Sequence, residues 1–325
     1  MTWNNEARAQ QAMFSREKEE GRGAERRLGV DDVAAPQLEE ASMLRKSLKA
    51  LALIAISSCG MGAYASLGAA QAADQAPPIG GGYFGSPNVI AIPVNDPAVK
   101  SIAGALYKPA GAGPFPAVIY MSGCAGLSVS PDMALQKKVI DHLTTKGVAT
   151  LVVDPFTPRQ EMQGVCAKID EKTFVQLGSR GGDDAWAAVD VLKAMPDIDP
   201  NRVFLQGYSW GAISSLFAVD TKNPVKHDIK IAGVIAYYPF CYDGVDPSVA
   251  TLVLIGDKDD WTPAAACQAV KGKPNVEVVV YPGDTHAFVM PGVDGEFMGH
   301  HFAYDEKAAQ DAQQRADAFM AAHMK

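Results

Sequence analysis

From residue 102 onward, short runs of β-branched and aliphatic residues alternate with longer stretches in which apolar positions recur at helical spacing. The apolar runs predict strands over 102–107, 117–121, 149–153, 202–206, 231–237, 251–255 and 276–281. Helical stretches fall at 133–145, 183–194, 212–219 and 263–270, and a last one at 306–322 closes the chain. Strands that are apolar throughout and alternate with helices predict an α/β fold, a mostly parallel sheet with helices on both faces. The Gly/Pro-rich linker 109–116 is too short for a helical crossover, so the sheet is expected to start antiparallel. In such sheets the chemistry gathers beyond the carboxyl ends of the strands.

Upstream the pattern is different. Residues 1–42 are polar and charged with no sustained apolar face, and read as a disordered extension from an over-extended start. Met43 then opens a basic stub, followed by the apolar run 50–56 and, later, Ala70-Gln71-Ala72. Those are the three parts of a secretory signal peptide, over 43–72, with an apolar core too short to span a bilayer. Ile56-Ser57-Ser58-Cys59 offers a second route, a lipid anchor at Cys59. Cleavage after Ala72 is preferred, because a polar linker follows it; the product is then a periplasmic or secreted protein with no stable membrane span.

Removing residues 1–72 leaves 253, a length suited to one α/β domain over 73–325. That part holds 20 basic and 28 acidic side chains, so the chain's whole net charge of −8 lies on it. With no basic excess to neutralise phosphates, nucleic acid is excluded as a partner.

The strongest chemical signal is Gly207-Tyr208-Ser209-Trp210-Gly211, between the strand at 202–206 and the helix at 212–219. This is the strand–turn–helix setting of a G-x-S-x-G nucleophile elbow. There the glycines let the backbone crowd and push the Ser209 hydroxyl into the cleft. A serine needs a base to take its proton. Of six histidines, His286 follows the strand at 276–281 and therefore shares the carboxyl edge with Ser209. His300 and His301 compete, but sit in an irregular Gly-rich loop with no strand to fix them; His142 and His323 lie in polar helical stretches. An acid should stand between serine and histidine in the chain, and the turn after 251–255 offers Asp257, Asp259 and Asp260. A calcium-loop reading of those three is weak, because no downstream Glu has the required spacing.

Taken together, these motifs resemble the dienelactone hydrolase family of α/β-hydrolases. The similarity extends from Ile198-Asp199-Pro200-Asn201-Arg202 before the elbow to the Gly256–Pro263 turn, His286-Ala287-Phe288, Gly299-His300 and Tyr304-Asp305. The resemblance implies an esterase-like serine hydrolase that acts on a small-molecule ester or lactone without a cofactor or metal. The runner-up reading is a secreted peptidase or polyester hydrolase, and the reading from another class is a non-catalytic binding module on a hydrolase fold. It selects Asp259 as the acid, four residues before Pro263. The best-known members carry cysteine in the elbow, where this chain has Ser209. The loop after 117–121 often reads His-Gly in relatives, and here it is Ser122-Gly123-Cys124-Ala125-Gly126. The backbone N–H groups of Trp210 and Cys124 are the expected oxyanion hole. Arg159 is expected near the site as a clamp for a substrate carboxylate, with a structural ion pair as the alternative. Tyr208 and Trp261 are expected to wall an apolar pocket.

Cys124, Cys166, Cys241 and Cys267 all fall in or near loops at strand ends. Four cysteines allow three connectivities. Cys124–Cys166 and Cys241–Cys267 are expected, each joining successive loops above the sheet, in keeping with export to an oxidising compartment.

Overall fold

The computed structural model describes residues 88–324, apart from 129, 224–226 and 228–229. The expected extension at 1–42, the signal at 43–72 and Cys59 lie outside the described residues.

Eight strands form one sheet: β1 (Asn88–Pro93), β2 (Ser101–Tyr107), β3 (Phe115–Met121), β4 (Ala149–Asp154), β5 (Ile198–Tyr208), β6 (Gly233–Tyr237), β7 (Thr251–Gly256) and β8 (Val276–Tyr281). Their spatial order is β1-β2-β4-β3-β5-β6-β7-β8. β2 runs antiparallel to both β1 and β4, and every pair from β4 through β8 is parallel. The expected antiparallel start is therefore present, with β1 as a strand the apolar pattern did not announce. Its outer residues are exposed and only Ile92 is fully buried, so its hydrophobic signal is short. Successive strand residues point to opposite faces, and every residue of β4 and of β7 is buried. Both faces of the sheet centre are thus covered, which is why these strands read as unbroken apolar runs.

The helices are α1 (Ser130–Thr145), α2 (Phe174–Lys193), α3 (Trp210–Val219), α4 (Ala264–Gln268) and α5 (Glu306–His323). α2 starts nine residues before the expected 183. Its first half contains Gly178, Gly181 and Gly182, poor helix formers that hide the periodicity. The glycines are there for packing: a Cβ on Gly178 would stand 2.3 Å from the Phe217 ring, and one on Gly181 2.2 Å from Ser214 Oγ. Missing side chains at these positions bring α2 against α3, and Trp186 Nε1 donates across the seam to Ala218 O at 2.8 Å.

The Gly-rich segment around His300 is also ordered, contrary to the expectation of an irregular loop. β9 (Asp294–Phe297) and β10 (His300–Ala303) make a two-stranded hairpin. The hairpin is short and mostly exposed, with little apolar alternation to read.

Two disulfides tie the loops above the sheet, Cys124–Cys166 and Cys241–Cys267, spanning 42 and 26 residues. These are the expected pairings. Among the described residues, no helix is long and apolar enough to cross a membrane.

Candidate active site

Ser209 sits between the end of β5 and the start of α3 with φ 51° and ψ −116°, a conformation unfavourable for any residue with a Cβ. The turn holds it there by close packing on either side. A Cβ on Gly207 would stand 2.3 Å from Gly211 O, and one on Gly211 would stand 2.1 Å from Met121 O. No side chain fits either position, so the glycines at 207 and 211 are steric requirements of the turn. Ile213 N donates to Ser209 O at 3.0 Å, which begins the helix directly behind the hydroxyl.

Three side chains from three loops meet at this edge. His286 Nε2 lies 2.9 Å from Ser209 Oγ, and His286 Nδ1 lies 2.8 Å from Asp259 Oδ2. Asp259 and His286 are both buried. The carboxylate of Asp259 is saturated from its own turn: Oδ1 accepts from Trp261 N at 3.0 Å and Thr262 N at 2.7 Å, and Oδ2 accepts from Thr262 Oγ1 at 2.8 Å. Its neighbours face elsewhere. Asp257 Oδ1 accepts from Gly283 N at 2.7 Å, and Asp260 Oδ1 stands 3.3 Å from His300 Nδ1. The three carboxylates of the turn thus have three different tasks, and the acid at 259 alone touches the imidazole.

The β9–β10 hairpin braces the histidine loop. His286 bridges Phe302, and Thr285 Oγ1 accepts from Ala303 N at 2.8 Å. His300, the rival base, stacks flat on Trp261 with ring centroids 4.7 Å apart. Trp261 in turn lies 5.3 Å from the His286 ring, half-buried at the site, where a pocket wall was expected. His142 pairs with Asp317 between α1 and α5, and His323 stands against Phe319 O, both away from Ser209.

Cys124 lies in the loop after β3. That loop passes the nucleophile, because a Cβ on the preceding Gly123 would stand 3.7 Å from Ser209 Cβ. The disulfide to Cys166 and the bond from Val165 N to Cys124 O, at 2.7 Å, pin the loop from above. Trp210 opens α3, and its buried ring packs edge-on against Phe174. The backbone donors expected for an oxyanion thus belong to two segments that flank Ser209.

Two expectations need correction. Tyr208 does not wall a pocket beside the nucleophile: it is 2% exposed, stacked on Tyr237 at 4.6 Å, with its hydroxyl bonded to Gln206 inside the core. Strand alternation explains this, since the residue before an elbow serine points into the layer beneath the sheet. For Arg159 the structure shows the alternative reading, a structural ion pair, in place of the substrate clamp. Its side chain is 2% exposed, bidentate to Asp184 at 2.8 Å and 2.8 Å, with Nε 2.7 Å from Asp96 and a further bond to Pro155 O. Burial opposes its charge, but the carboxylates of Asp184 and Asp96 outweigh it and hold the guanidinium above its ordinary pKa. Arg159→Met would leave buried Asp184 unpaired, and should lower the unfolding free energy by about 3–5 kcal/mol in urea titrations. A substrate clamp would instead raise KM for carboxylate-bearing esters at unchanged stability.

Thr262 and Tyr238 belong to the site but were not singled out in the sequence. Thr262 links Asp259 to Tyr238 O, 3.1 Å away, and lies 3.2 Å from His286 Nδ1. The signal for it was local: an Asp three residues before a Thr-Pro is a carboxylate set to cap its own turn. Tyr238 follows β6 with φ 41°, its ring 4.7 Å from that of His286. Non-glycine residues with positive φ include Ser209, Tyr238 and Ala287, so backbone strain concentrates around these three loops.

The Dienelactone hydrolase family model matches residues 102–324. A protein of Azospirillum brasilense named as a carboxymethylenebutenolidase is 25% identical over 254 residues, covering 72% of this chain and 98% of its own. Among solved structures, the dienelactone hydrolase-like promiscuous phosphotriesterase P91 from metagenomic libraries superposes with a TM-score of 0.57 at 20% identity. The match covers 74% of this chain and 99% of that one. The thermophilic esterase Est2 of the planctomycete Thermogutta terrifontis, with propionate bound, gives 0.52 at 18% identity, covering 72% and 93%. The family match runs from β2 to α5, well over half of the chain: the chain belongs to the dienelactone hydrolase family of α/β-hydrolases.

Proposed function

We propose that the protein is a serine hydrolase of carboxylic esters or lactones that works through an acyl-serine intermediate. The observation that carries this reading is the continuous hydrogen-bonded chain from Ser209 Oγ through His286 to Asp259, at 2.9 and 2.8 Å. His286 Nε2 accepts the serine proton as Oγ attacks the carbonyl, while Asp259 holds the Nδ1–H tautomer and stabilises the imidazolium. The tetrahedral oxyanion forms between Trp210 N–H and Cys124 N–H. His286 then returns the proton to the leaving alcohol, and a water, activated by the same nitrogen, releases the acid. The family supports the bond class, and none of these steps calls on a cofactor.

A fluorophosphonate probe tests the reading directly. It should label one residue, Ser209, and labelling should abolish ester hydrolysis. Protein that hydrolyses no ester and takes up no probe would be a binding module on a hydrolase fold.

We also assign the protein to an oxidising compartment, reached through the signal at 43–72 or held by a lipid on Cys59. The pairs Cys124–Cys166 and Cys241–Cys267 support this assignment, since such bridges persist outside the reducing cytoplasm.

A further inference from the structure

With Arg159 locked in its buried ion pairs, the charged group next to the nucleophile is an acid. Asp132 lies in the first turn of α1, is 7% exposed, and has no ion-pair partner among the described residues. The point where a Cβ on Gly123 would stand is 4.0 Å from Asp132 Oδ1 and 3.7 Å from Ser209 Cβ. Residue 123 is glycine, so no side chain occupies that point, which is near both the carboxyl and the serine. The other nearby cation, Arg180, is held by Glu161 at 2.7 Å.

We propose that Asp132 sets the charge preference of the site, admitting uncharged acyl groups and rejecting substrates that carry a carboxylate close to the reacting carbonyl. This deepens the ester-hydrolase reading of Ser209 and rests on it. The distances of 4.0 and 3.7 Å put Asp132 Oδ1 within about 8 Å of Ser209 Cβ, and like charges at that range repel where a partly buried cleft limits screening by water. The present site favours a neutral ester.

The preference should depend on pH. Burial pushes the Asp132 carboxyl up to about 7. The groups facing it are the phenols of Tyr120 on β3 and Tyr238 after β6. Both are raised well above their ordinary pKa by burial, and so remain neutral around it. His286, beyond the Tyr238 ring, affects all esters alike as the general base. Discrimination by Asp132 therefore appears as the carboxyl ionises, with rising pH.

The test compares kcat/KM for p-nitrophenyl butyrate with that for the monoanionic mono-p-nitrophenyl glutarate, from pH 5.5 to 8.5. In the native enzyme the neutral-to-anionic ratio should climb on the order of tenfold across neutrality, the scale of a like charge within about 8 Å in a partly buried cleft. In Asp132→Asn the ratio should be low and flat. A ratio that does not move with pH in the native enzyme overturns the proposal, as does a variant that keeps the native profile. If the native enzyme cleaves neither ester, the ester-hydrolase reading fails and this inference with it; an active enzyme with a flat ratio removes the charge preference alone. The asparagine is expected to fold. A carboxyl whose pKa is raised on folding loses stability as pH climbs from its unfolded value towards its folded one. The variant should therefore match the native melting temperature at pH 4 and exceed it at pH 8.

Discussion

Ser209→Ala should lower kcat for a neutral ester on the order of a million-fold while leaving the fold intact. For catalysis, the alanine removes the only atom that His286 Nε2 can deprotonate at the elbow, 2.9 Å away, so no acyl-enzyme can form. Residual turnover would come from water held by the oxyanion donors and would show no burst of product. For stability, the methyl group occupies the place of the serine Cβ, and the strained φ of 51° is the same in both proteins. The lost hydrogen bond is one at a partly solvated cleft, worth about 1 kcal/mol. A urea midpoint within that margin, together with loss of probe labelling, is the expected pair of results. Substantial residual activity with an acyl burst would mean that another nucleophile does the work. Ser209→Gly is the informative partner: it loses activity equally, but relieves the left-handed backbone and should gain on the order of 1 kcal/mol.

Much of this site was legible because the chemistry depends on local patterns. The elbow shows itself in five residues between a strand and a helix, and His286 follows from its place after the last strand of the sheet. The acid was harder. Asp257, Asp259 and Asp260 share one turn, and local sequence does not reveal which carboxylate turns inward; the spacing to Pro263 in the family resemblance selected it. Arg159 stayed open between a substrate clamp and a structural ion pair, and Tyr208 was misread, because both depend on what lies across space. Arg159 is neutralised by Asp96, 63 residues earlier, and Asp184, 25 residues later. Tyr208 is turned inward by the pleat of a strand that extends two residues past the predicted end. The first half of α2 was hidden for a similar reason. Its glycines weaken the helical signal locally and are explained only by Phe217 and Ser214 on the neighbouring helix. Asp132 drew no attention in sequence, since an acid in a first helical turn is the ordinary way to complement the helix dipole. Its significance comes from burial and from the bare backbone of Gly123 beside the nucleophile.

Asp259→Asn should reduce kcat on the order of ten-thousand-fold, with little change in KM. The geometry explains why the loss is so large for a change of one atom. Trp261 N and Thr262 N both point at Oδ1, so the amide oxygen of asparagine takes that position to satisfy them. The amide nitrogen then occupies the place of Oδ2, 2.8 Å from His286 Nδ1, and presents a donor where the ring needs an acceptor. The imidazole answers by placing its proton on Nε2. That nitrogen now points a hydrogen at Ser209 and can no longer accept one. Thr262 keeps its place by donating to Tyr238 O, 3.1 Å away, so the turn itself survives. The measurement is kcat and KM for a neutral ester over pH, with the neighbouring carboxylates as controls. Asp257→Asn retains an acceptor for Gly283 N, and Asp260→Asn loses only an exposed contact with His300, so both should stay within about fivefold of native kcat. A loss of less than tenfold in Asp259→Asn, or an equal loss in either neighbour, would remove Asp259 from the orienting role. It would also mean that the tautomer of His286 is fixed by Thr262, whose Oγ1 stands 3.2 Å from the same nitrogen.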